Sequence, residues 1–399
     1  MIDLRAARSD PDRFRAGIAR KGAADAFDQL LEADLRWREL VPKVDELRGR
    51  QKSKGKPTPE EVEELKAVKA ELREREEALA AAESRRTELL RLVPNPAHES
   101  VPDGDTEEDA REERRVGEPA DGRRAEHLEL GRFDMERAAR LSGSRFGYLV
   151  GDTARLALAL YSWALDRVVS EGFTPVLPPV LVREEAMYGT GFFPAEKNEY
   201  YEIGDDGLFL SGTSEVALAG LHMGEILESG DLPLRYTAFS ANFRREAGAA
   251  GRDTRGMFRV HQFNKVEMFS YVRPEESWDE HERLLAIEER LAQEVGLPYR
   301  VLNIAAGELS AAAAKRYDIE AWFPSQSRYR EITSCSNTTD YQARRSGIRY
   351  RTEGGGLETP HTLNGTAATD RWALAVLENF QGEVPEVLRE FGAPARVES

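Results

Sequence analysis

The stretch NFRREAGAAGRDTRGMFRVHQFNKVEMF, residues 242–269, contains two strand-like runs on either side of a glycine-rich loop. The first run carries Arg244 and Glu246, and the loop carries Arg252, Asp253 and Arg255. An arginine presents a planar fork of N–H donors that fits phosphate oxygens, so a loop of this kind suits the binding of a polyphosphate. On the residues alone, an exposed hairpin with surface ion pairs is the alternative.

From about Glu126 onward, the chain around this hairpin alternates short strands with helices of unequal length. The predicted strands are PVLPPVLV from Pro175, LFLSGT from Leu208, PLRYTAFSANF from Pro233, MFRVHQFNKVEMFSYV from Met257, YRVLNI from Tyr299 and KRYDIEAWF from Lys315. The predicted helices are LALALYSWALDRVVSEGF from Leu156 and EESWDEHERLLAIEERLAQEV from Glu275. Such an order predicts an α+β domain with a mostly antiparallel sheet.

Two long heptad patterns lie nearer the N-terminus and predict an antiparallel helical hairpin. Leu30, Trp37 and Val44 recur at heptad spacing in the first, and Leu72 and Leu79 do so in the second. The turn between the two helices, from Arg48 to Pro59, carries a run of cations and no acid: Arg48, Arg50, Lys52, Lys54 and Lys56. A dimerisation coiled coil and an arm that contacts a nucleic-acid backbone both fit this pattern.

The composition limits the class of protein. The chain has 399 residues and a formal net charge of −16, so phosphate binding requires a local basic cluster such as the one at the hairpin turn. Cys335 is the single cysteine, which excludes a disulfide within the chain, argues against a zinc site and suits a cytoplasmic compartment. No apolar run reaches the length of a membrane span. Residues 97–125 are acidic and then mixed, with prolines and glycines, and predict a linker.

Taken together, the motifs resemble those of the seryl-tRNA synthetases, a family of class II aminoacyl-tRNA synthetases. Residues 242–269 resemble motif 2, and GFTPVLPPVLV from Gly172 resembles motif 1. TSEVALAGL from Thr213 resembles the serine-binding segment, residues 317–345 the stretch before motif 3, and TLNGTAATDRWALAVLEN, residues 362–379, motif 3 itself. The helical hairpin resembles the tRNA-binding arm of the family, so the resemblance covers nearly the whole chain in the family order.

The resemblance implies a fold and a reaction. The fold would be α+β, with a class II antiparallel sheet flanked by helices and an N-terminal coiled-coil arm. Residues 1–96 would form the tRNA-binding domain, 97–125 the linker and 126–399 the catalytic domain. The activity would be that of a cytoplasmic homodimeric serine–tRNA ligase, joined through motif 1, which uses ATP and Mg²⁺ to activate serine and then transfers it to serine tRNA.

The resemblance also assigns site residues. The catalytic set is Arg244, Glu267 and Arg371, and the serine contacts are Thr213, Ser214, Glu215, Glu267 and Thr366. The ATP contacts are Arg244, Arg245, Glu246, Glu331, Ile332, Thr333, Ser334 and Arg371, of which Glu331 and Ser334 would also hold the metal. Arg255 and His261 would orient the pyrophosphate or the loop, and the five basic residues of the hairpin turn would contact tRNA. Glu267 has a physical argument of its own, because a carboxylate in the apolar run VEMF needs a partner, either the serine ammonium or an internal arginine.

The match departs from the family pattern in motif 3. One residue fewer than expected separates Thr366 from Arg371, a spacing that would move Arg371 relative to Thr366 and weaken the geometry of ATP or serine binding. Two alternatives therefore stand beside an active ligase, which could itself be a diverged second copy. One is an adenylating paralogue that loads a carrier protein or another acceptor, and the other is a non-catalytic tRNA-binding paralogue.

Overall fold

The computed structural model describes residues 1–51, 58–120, 122, 124–247 and 256–398. The predicted contacts Lys52, Lys54, Lys56 and Arg255 lie outside these residues, as do Arg252 and Asp253. The chain divides into two compact units, Met1–Pro96 and Ala97–Ser399. In the described part of the chain, no helix is both long and apolar enough to span a membrane.

The first unit is helical and contains the expected hairpin. Its helices are α1 (Leu4–Ser9), α2 (Pro11–Ala19), α3 (Ala24–Gln51) and α4 (Pro59–Leu92). Val44 and Leu47 of α3 are buried against Val68 and Leu72 of α4, as heptad spacing predicts. Because α3 continues to Gln51, the residues from Arg48 onward that we predicted as turn are still helical there.

A buried carboxylate ties three helices of this unit together. Asp34 of α3 is 1% exposed and accepts from Arg8 of α1 at 3.0 Å and from Arg86 of α4 at 2.7 Å. The Arg86 guanidinium also lies 4.4 Å from the ring centroid of Trp37. Arg86, which interrupts the heptad seam, therefore has a defined partner inside the hairpin.

The second unit contains the remaining elements. Its strands are β1 (Arg111–Val116), β2 (Phe133–Asp134), β3 (Tyr148–Leu149), β4 (Thr174–Val176), β5 (Leu181–Arg183), β6 (Glu202–Ile203), β7 (Leu208–Leu210), β8 (Ile226–Leu227), β9 (Leu234–Phe243), β10 (Gln262–Val272), β11 (Tyr299–Asn303), β12 (Lys315–Phe323), β13 (Arg328–Asn337), β14 (Arg349–Arg351), β15 (Leu357–Glu358) and β16 (His361–Thr369). Its α-helices are α5 (His127–Leu130), α6 (Met135–Ser142), α7 (Asp152–Ser170), α8 (Glu184–Thr190), α9 (Ser214–Ala219), α10 (Ser277–Val295), α11 (Tyr341–Ser346), α12 (Asp370–Phe380) and α13 (Glu386–Arg389).

Among the described residues, the largest sheet has eight strands in the order β1-β11-β12-β13-β16-β10-β9-β4. Every pair in it is antiparallel except β4 with β9, so the predicted α+β class with a mostly antiparallel sheet is confirmed. Residues 97–125, predicted as a linker, contribute the edge strand β1, which pairs with β11. The reason lies in composition, since a solvated edge strand can be as charged as REERRV and still hydrogen-bond to its neighbour.

Two local boundaries differ from the sequence prediction. The run PVLPPVLV is two strands, β4 and β5, because two prolines between them remove the backbone donors that a continuous strand would need. The strand predicted from Met257 begins only at Gln262, where β10 starts to pair with β9.

The two faces of β10 separate the core from the site. Val266 and Met268 are fully buried in the main core together with residues of α7, α10 and α12. Phe269 and Tyr271 point to the other face, where they pack with residues of α9 and α11. Side chains alternate between faces along a strand, so Glu267 shares the second face with Phe269. This face carries the candidate site.

Candidate active site

Two adjoining cavities lie beside the central strands of the large sheet. The first, called here the arginine cavity, is lined by Arg244, Glu246, Met257, Phe258, Arg259, Val260, Phe263, Lys265, Glu331, Ile332, Thr333, Ser334, Thr366, Thr369, Asp370 and Arg371. The second, the carboxylate cavity, is lined by residues that include Glu196, Thr213, Glu215, Glu267 and Asn364. Five residues border both: Arg244, Lys265, Glu331, Ser334 and Thr366.

Two β-bulges bring the cavity residues to one side of the sheet. On β13 the register passes from Glu331 opposite Glu320 to Thr333 opposite Ile319, which leaves Ile332 as an extra residue. On β16 the extra residue is Ala367. A bulge inverts the alternation of side chains, so residues three apart can share a face. Glu331 and Ser334 border the same two cavities for this reason.

Arg244 stands at the junction of the cavities. Its Nε donates to the backbone oxygen of Gly212 at 3.2 Å, and its guanidinium lies 5.3 Å from the ring centroid of Phe263. Its backbone N–H donates to His261 O at 2.9 Å, just beyond the paired ends of β9 and β10. These contacts hold the side chain in place and leave most of its N–H donors available to a ligand.

Arg371 also lines the arginine cavity. Arg371, the second residue of α12, donates to Glu331 Oε2 at 2.9 Å and to the backbone oxygen of Phe258 at 3.3 Å. Its guanidinium is 4.6 Å from the Phe258 ring centroid. The short spacing to Thr366 does not remove Arg371 from the site, since both residues border this cavity.

Glu331 is an ionised carboxylate between two arginines. Arg371 and Arg316 both contact it, at 2.9 and 3.1 Å. Burial alone would raise the pKa of Glu331, but the positive charges of Arg371 and Arg316 lower it to about 2. A carboxylate held in this form can accept hydrogen bonds or bind a cation throughout the neutral pH range.

Glu246 has a protein partner in the same cavity. Its Oε2 accepts from Arg259 Nε at 2.5 Å, and its backbone adopts a left-handed φ of 51°. A positive φ is uncommon outside glycine, so the residue marks a sharp change of direction where the strand ends and the loop begins. The side chain turns into the cavity as a consequence.

Lys265 is the partner of Glu267 in the carboxylate cavity. Glu267 is 1% exposed, and its Oε2 lies 2.5 Å from Lys265 Nζ and 3.4 Å from Thr366 Oγ1. Burial raises the pKa of Glu267 to about 7 although Lys265 lowers it. The internal partner we expected as the alternative was an arginine, so this prediction was wrong in the residue type. Lys265 Nζ also donates to Thr213 Oγ1 at 2.6 Å.

Glu215 is fixed by amide groups. Its Oε1 accepts from Gln342 Nε2 at 2.7 Å and from Asn364 Nδ2 at 3.0 Å, while its backbone N–H donates to Thr213 Oγ1 at 3.2 Å. Burial raises the pKa of this carboxyl as well. Two carboxyl groups, Glu215 and Glu267, thus border one small polar cavity, together with the hydroxyl groups of Thr213 and Thr366.

Three predicted contacts lie off the cavity walls. The Ser214 hydroxyl pairs with Ser240 at 2.6 Å, and Arg245 uses its backbone N–H to bond Glu199 O at 2.7 Å. His261 directs Nδ1 to the backbone oxygen of Arg244 at 2.9 Å. Sequence reasoning in turn missed Lys265, Gln342 and Asn364. For Lys265 a signal was available, because it lies two residues before Glu267 on the same strand and therefore on the same face.

The hairpin turn carries less free charge than its sequence indicates. Arg48 donates to Glu76 at 3.0 Å, and Arg50 lies 3.6 Å from Glu64. Both acids belong to α4 and lie outside the turn sequence, so the prediction of an unpaired basic cluster did not include them. These pairs are exposed, and exposed pairs exchange partners at little cost.

This fold is that of a class II aminoacyl-tRNA synthetase. The tRNA synthetase class II core domain (G, H, P, S and T) matches residues 199–380, and the seryl-tRNA synthetase N-terminal domain matches residues 1–97. A serine–tRNA ligase of Thermobifida fusca is 48% identical over 98% of this chain and 97% of its own length. One of Beutenbergia cavernae is also 48% identical, over 96% and 94%.

Solved structures give the same result. The seryl-tRNA synthetase of Pyrococcus horikoshii, in complex with ATP, aligns with a TM-score of 0.92 at 37% identity over 100% of both chains. The cytoplasmic serine–tRNA ligase of Naegleria fowleri, in complex with AMP, aligns with a TM-score of 0.88 at 31% identity over 98% and 96%. The chain belongs to the seryl-tRNA synthetase family.

Proposed function

We propose that this protein is a serine–tRNA ligase. The serine carboxylate attacks the α-phosphate of ATP to give seryl-adenylate and pyrophosphate. The terminal ribose hydroxyl of serine tRNA then accepts the seryl group, and AMP leaves. The observation that carries the proposal is the meeting of the two cavities at Arg244, where a phosphate and a carboxylate can be held side by side. Reactions of this kind depend on alignment of the reactants and neutralisation of charge.

Serine fits the carboxylate cavity by charge and size. Its ammonium group would bond Glu267 and Thr213, its hydroxyl would lie between Thr366 and Glu215, and its carboxylate would face Arg244. A site that pairs buried polar groups with a substrate hydroxyl rejects alanine, because those groups would then stay unpaired. Ser214 contributes by packing, since its own hydroxyl is already bonded to Ser240.

ATP fits the arginine cavity. Arg244 would bind the α-phosphate and Arg371 the far end of the nucleotide, with Arg245, Ile332 and Thr333 shaping the surroundings. The Phe258 ring, already stacked by Arg371, offers a flat surface for a purine, and Glu246 at the same wall can accept from the adenine amino group. Arg255 and His261 would order the loop over the phosphates.

Magnesium fits the donors at the junction of the cavities. Mg²⁺ prefers one or two carboxylates together with phosphate oxygens and water. Glu331 is ionised and shares both cavity walls with the Ser334 hydroxyl, so these two residues would hold the ion. When bound, it would neutralise charge on the phosphate oxygens. Glu331 would then replace part of its ion pairing with Arg371 and Arg316 by contact with Mg²⁺.

The proposed macromolecular partners are serine tRNA and a second copy of this chain. Arg48, Arg50, Lys52, Lys54 and Lys56 would contact the backbone of serine tRNA, and a second copy would pair through the motif 1 region. Exposed apolar residues there favour such a pairing, among them Leu177 at 87% and Leu181 at 45% exposure. We place the enzyme in the cytoplasm, with residues 1–96 as the tRNA-binding domain.

The test is serine-dependent exchange of labelled pyrophosphate into ATP, with alanine, glycine and threonine as controls, followed by charging of total tRNA. We expect exchange with serine alone and charging of serine tRNAs alone. Exchange without charging would replace the proposal by a ligase that loads a carrier or another acceptor. Absence of exchange with every amino acid would leave a non-catalytic tRNA-binding protein.

A further inference from the structure

Lys265 occupies the boundary between the two cavities. It is 6% exposed and borders both of them. Its ammonium lies 2.5 Å from Glu267 Oε2 and 2.6 Å from Thr213 Oγ1. These are the same two atoms that the proposed function gives to the ammonium group of serine.

Two ammonium groups cannot occupy this position together. Each needs the same acceptors, and two like charges a few ångströms apart repel strongly in a buried site. A buried carboxylate without any cation is also costly. Lys265 therefore supplies the cation that Glu267 needs before serine binds, and this cation has to leave when the substrate enters.

The junction of the two cavities can receive the Lys265 ammonium, because Lys265 borders both of them. A lysine side chain has a flexible four-carbon stem, so its ammonium can shift by a few ångströms without movement of the backbone. Lys265 already borders the arginine cavity, and Arg244 is the neighbouring cation on both walls.

We propose that Lys265 is a catalytic residue that pairs with Glu267 and Thr213 until serine binds. Its ammonium then turns to the junction, where it binds the serine carboxylate and the α-phosphate. This inference rests on the proposed function. Serine's own ammonium then takes over Glu267 and Thr213, so Glu267 keeps a cation at every stage. Binding of the substrate thereby delivers a second positive charge, beside Arg244, to the reacting atoms.

Serine activation forms one bond and breaks one. A bond forms between a serine carboxylate oxygen and the α-phosphorus, and the bond from that phosphorus to the bridging oxygen of pyrophosphate breaks. Lys265 keeps its proton throughout and stabilises the charge that builds up on the non-bridging oxygens. A donor that meets the reacting atoms as charge develops on them contributes mainly to kcat.

The experiment compares K265M with wild type and with K315M. Lys315 is a matched control, since it is a lysine of the same sheet, 8% exposed, that borders neither cavity. For K265M we expect the kcat of serine-dependent pyrophosphate exchange to fall by about 100-fold, the usual loss for one such donor. The dissociation constant of serine should change by less than tenfold, because K265M loses the competing cation and the contact to the serine carboxylate together, and K315M should match wild type. K265R should recover part of the loss.

A second probe isolates the amino site. Ethanolamine has the amino and hydroxyl groups of serine but no carboxylate, so its binding reports competition with Lys265 alone. We expect its inhibition constant against exchange to be equal or lower in K265M, because the competing cation is gone.

A purely structural lysine gives the opposite pattern. Serine and ethanolamine would then bind more than tenfold more weakly to K265M while kcat at saturation stayed within threefold, and that result would overturn the inference. If K265M does not fold, the same split between binding and kcat is read from K265R. If the wild-type enzyme shows no serine-dependent exchange, the proposed function itself is rejected. If the wild-type enzyme is active and K265M is equally active, only the role of Lys265 is rejected.

Discussion

At the scale of single residues, Glu267 is the carboxylate whose charge the amino site requires. In Glu267→Gln the amide cannot balance either Lys265 or the serine ammonium, so a buried cation is left unpaired. We expect kcat/KM for serine in pyrophosphate exchange to fall by about 100-fold or more, with the KM for ATP unchanged. Glu320→Gln is the control, because Glu320 pairs with Arg300 and borders neither cavity. An unchanged KM for serine in E267Q would contradict the assignment.

Glu288 of α10 predicts a pH dependence of stability. It is fully buried, its Oε1 accepts from the backbone N–H of Thr366 at 3.0 Å, and the Cys335 thiol is a second hydrogen-bond neighbour of its carboxyl. Burial and the nearby Glu267 raise the pKa of Glu288 well above its ordinary value. Its folded-state pKa is therefore higher than the unfolded one. The stability it contributes is complete below the ordinary carboxyl pKa and is lost as pH rises towards the folded value.

Glu288→Gln removes this loss, because a glutamine cannot ionise and still accepts from Thr366. We expect the free energy of unfolding of E288Q, relative to wild type, to increase by up to about 1.4 kcal/mol per pH unit above pH 5. Urea denaturation at a series of pH values measures it. Glu294→Gln, at an exposed position on the same helix, should follow wild type. Parallel curves for E288Q and wild type would show that Glu288 is ionised in the folded state.

At the scale of elements, Asp34 is the point at which three helices of the N-terminal unit meet. Removing a buried carboxylate that two arginines share leaves both of them without their partner. We expect Asp34→Ala to destabilise this unit by about 3 kcal/mol in chemical denaturation followed by helical circular dichroism. Asp28→Ala serves as control. Asp28 lies on the same helix as Asp34 and forms an exposed pair with Arg15 of α2, so its removal should change the stability little. Equal effects of the two substitutions would show that the buried cluster stabilises the unit no more than an exposed ion pair does.

Elements of regular pattern were predictable, and those shaped by partners distant in sequence were not. Strands β9 and β12, and helices α7 and α10, follow from alternation and amphipathic spacing that a single segment contains. Strand β1 was missed because its stability comes from hydrogen bonds to β11, not from an apolar face. The bulges at Ile332 and Ala367 were missed for a related reason, since a bulge is defined only against the neighbouring strand. The bulge at Ile332 explains why Ser334 and Glu331 border the same cavities.

The site residues divide in the same way, into those that a local motif predicts and those that elements distant in sequence bring to the site. Arg244, Glu267 and Thr366 were predicted from the family motifs, and all three border the carboxylate cavity. Gln342 was missed because it acts through Glu215, from a helix far away in sequence. Contacts of this second kind depend on the packing of whole elements and leave no local pattern.

At the scale of the whole molecule, the two units predict a separation of two activities. Both cavities belong to residues 97–399, whereas the basic hairpin turn belongs to residues 1–96. Serine activation requires only the cavities, and tRNA charging requires a nucleic-acid contact as well. The double substitution Arg48→Ala with Arg50→Ala should therefore leave pyrophosphate exchange unchanged. It should lower kcat/KM for tRNA charging by about tenfold and reduce the dependence of charging on salt concentration.

The matched control uses the acids that pair with these arginines. Glu76→Gln with Glu64→Gln removes the α4 partner of each arginine and leaves Arg48 only Asp45 at 3.6 Å, so charging should be equal or stronger while exchange again stays constant. The two double variants change the local charge in opposite directions at the same pair of contacts, and a role in general stability would lower charging in both. Loss of charging in the arginine variant alone, with its salt dependence reduced, is the signature of phosphate contacts at the turn. Equal charging by all forms would remove Arg48 and Arg50 from the tRNA-binding surface.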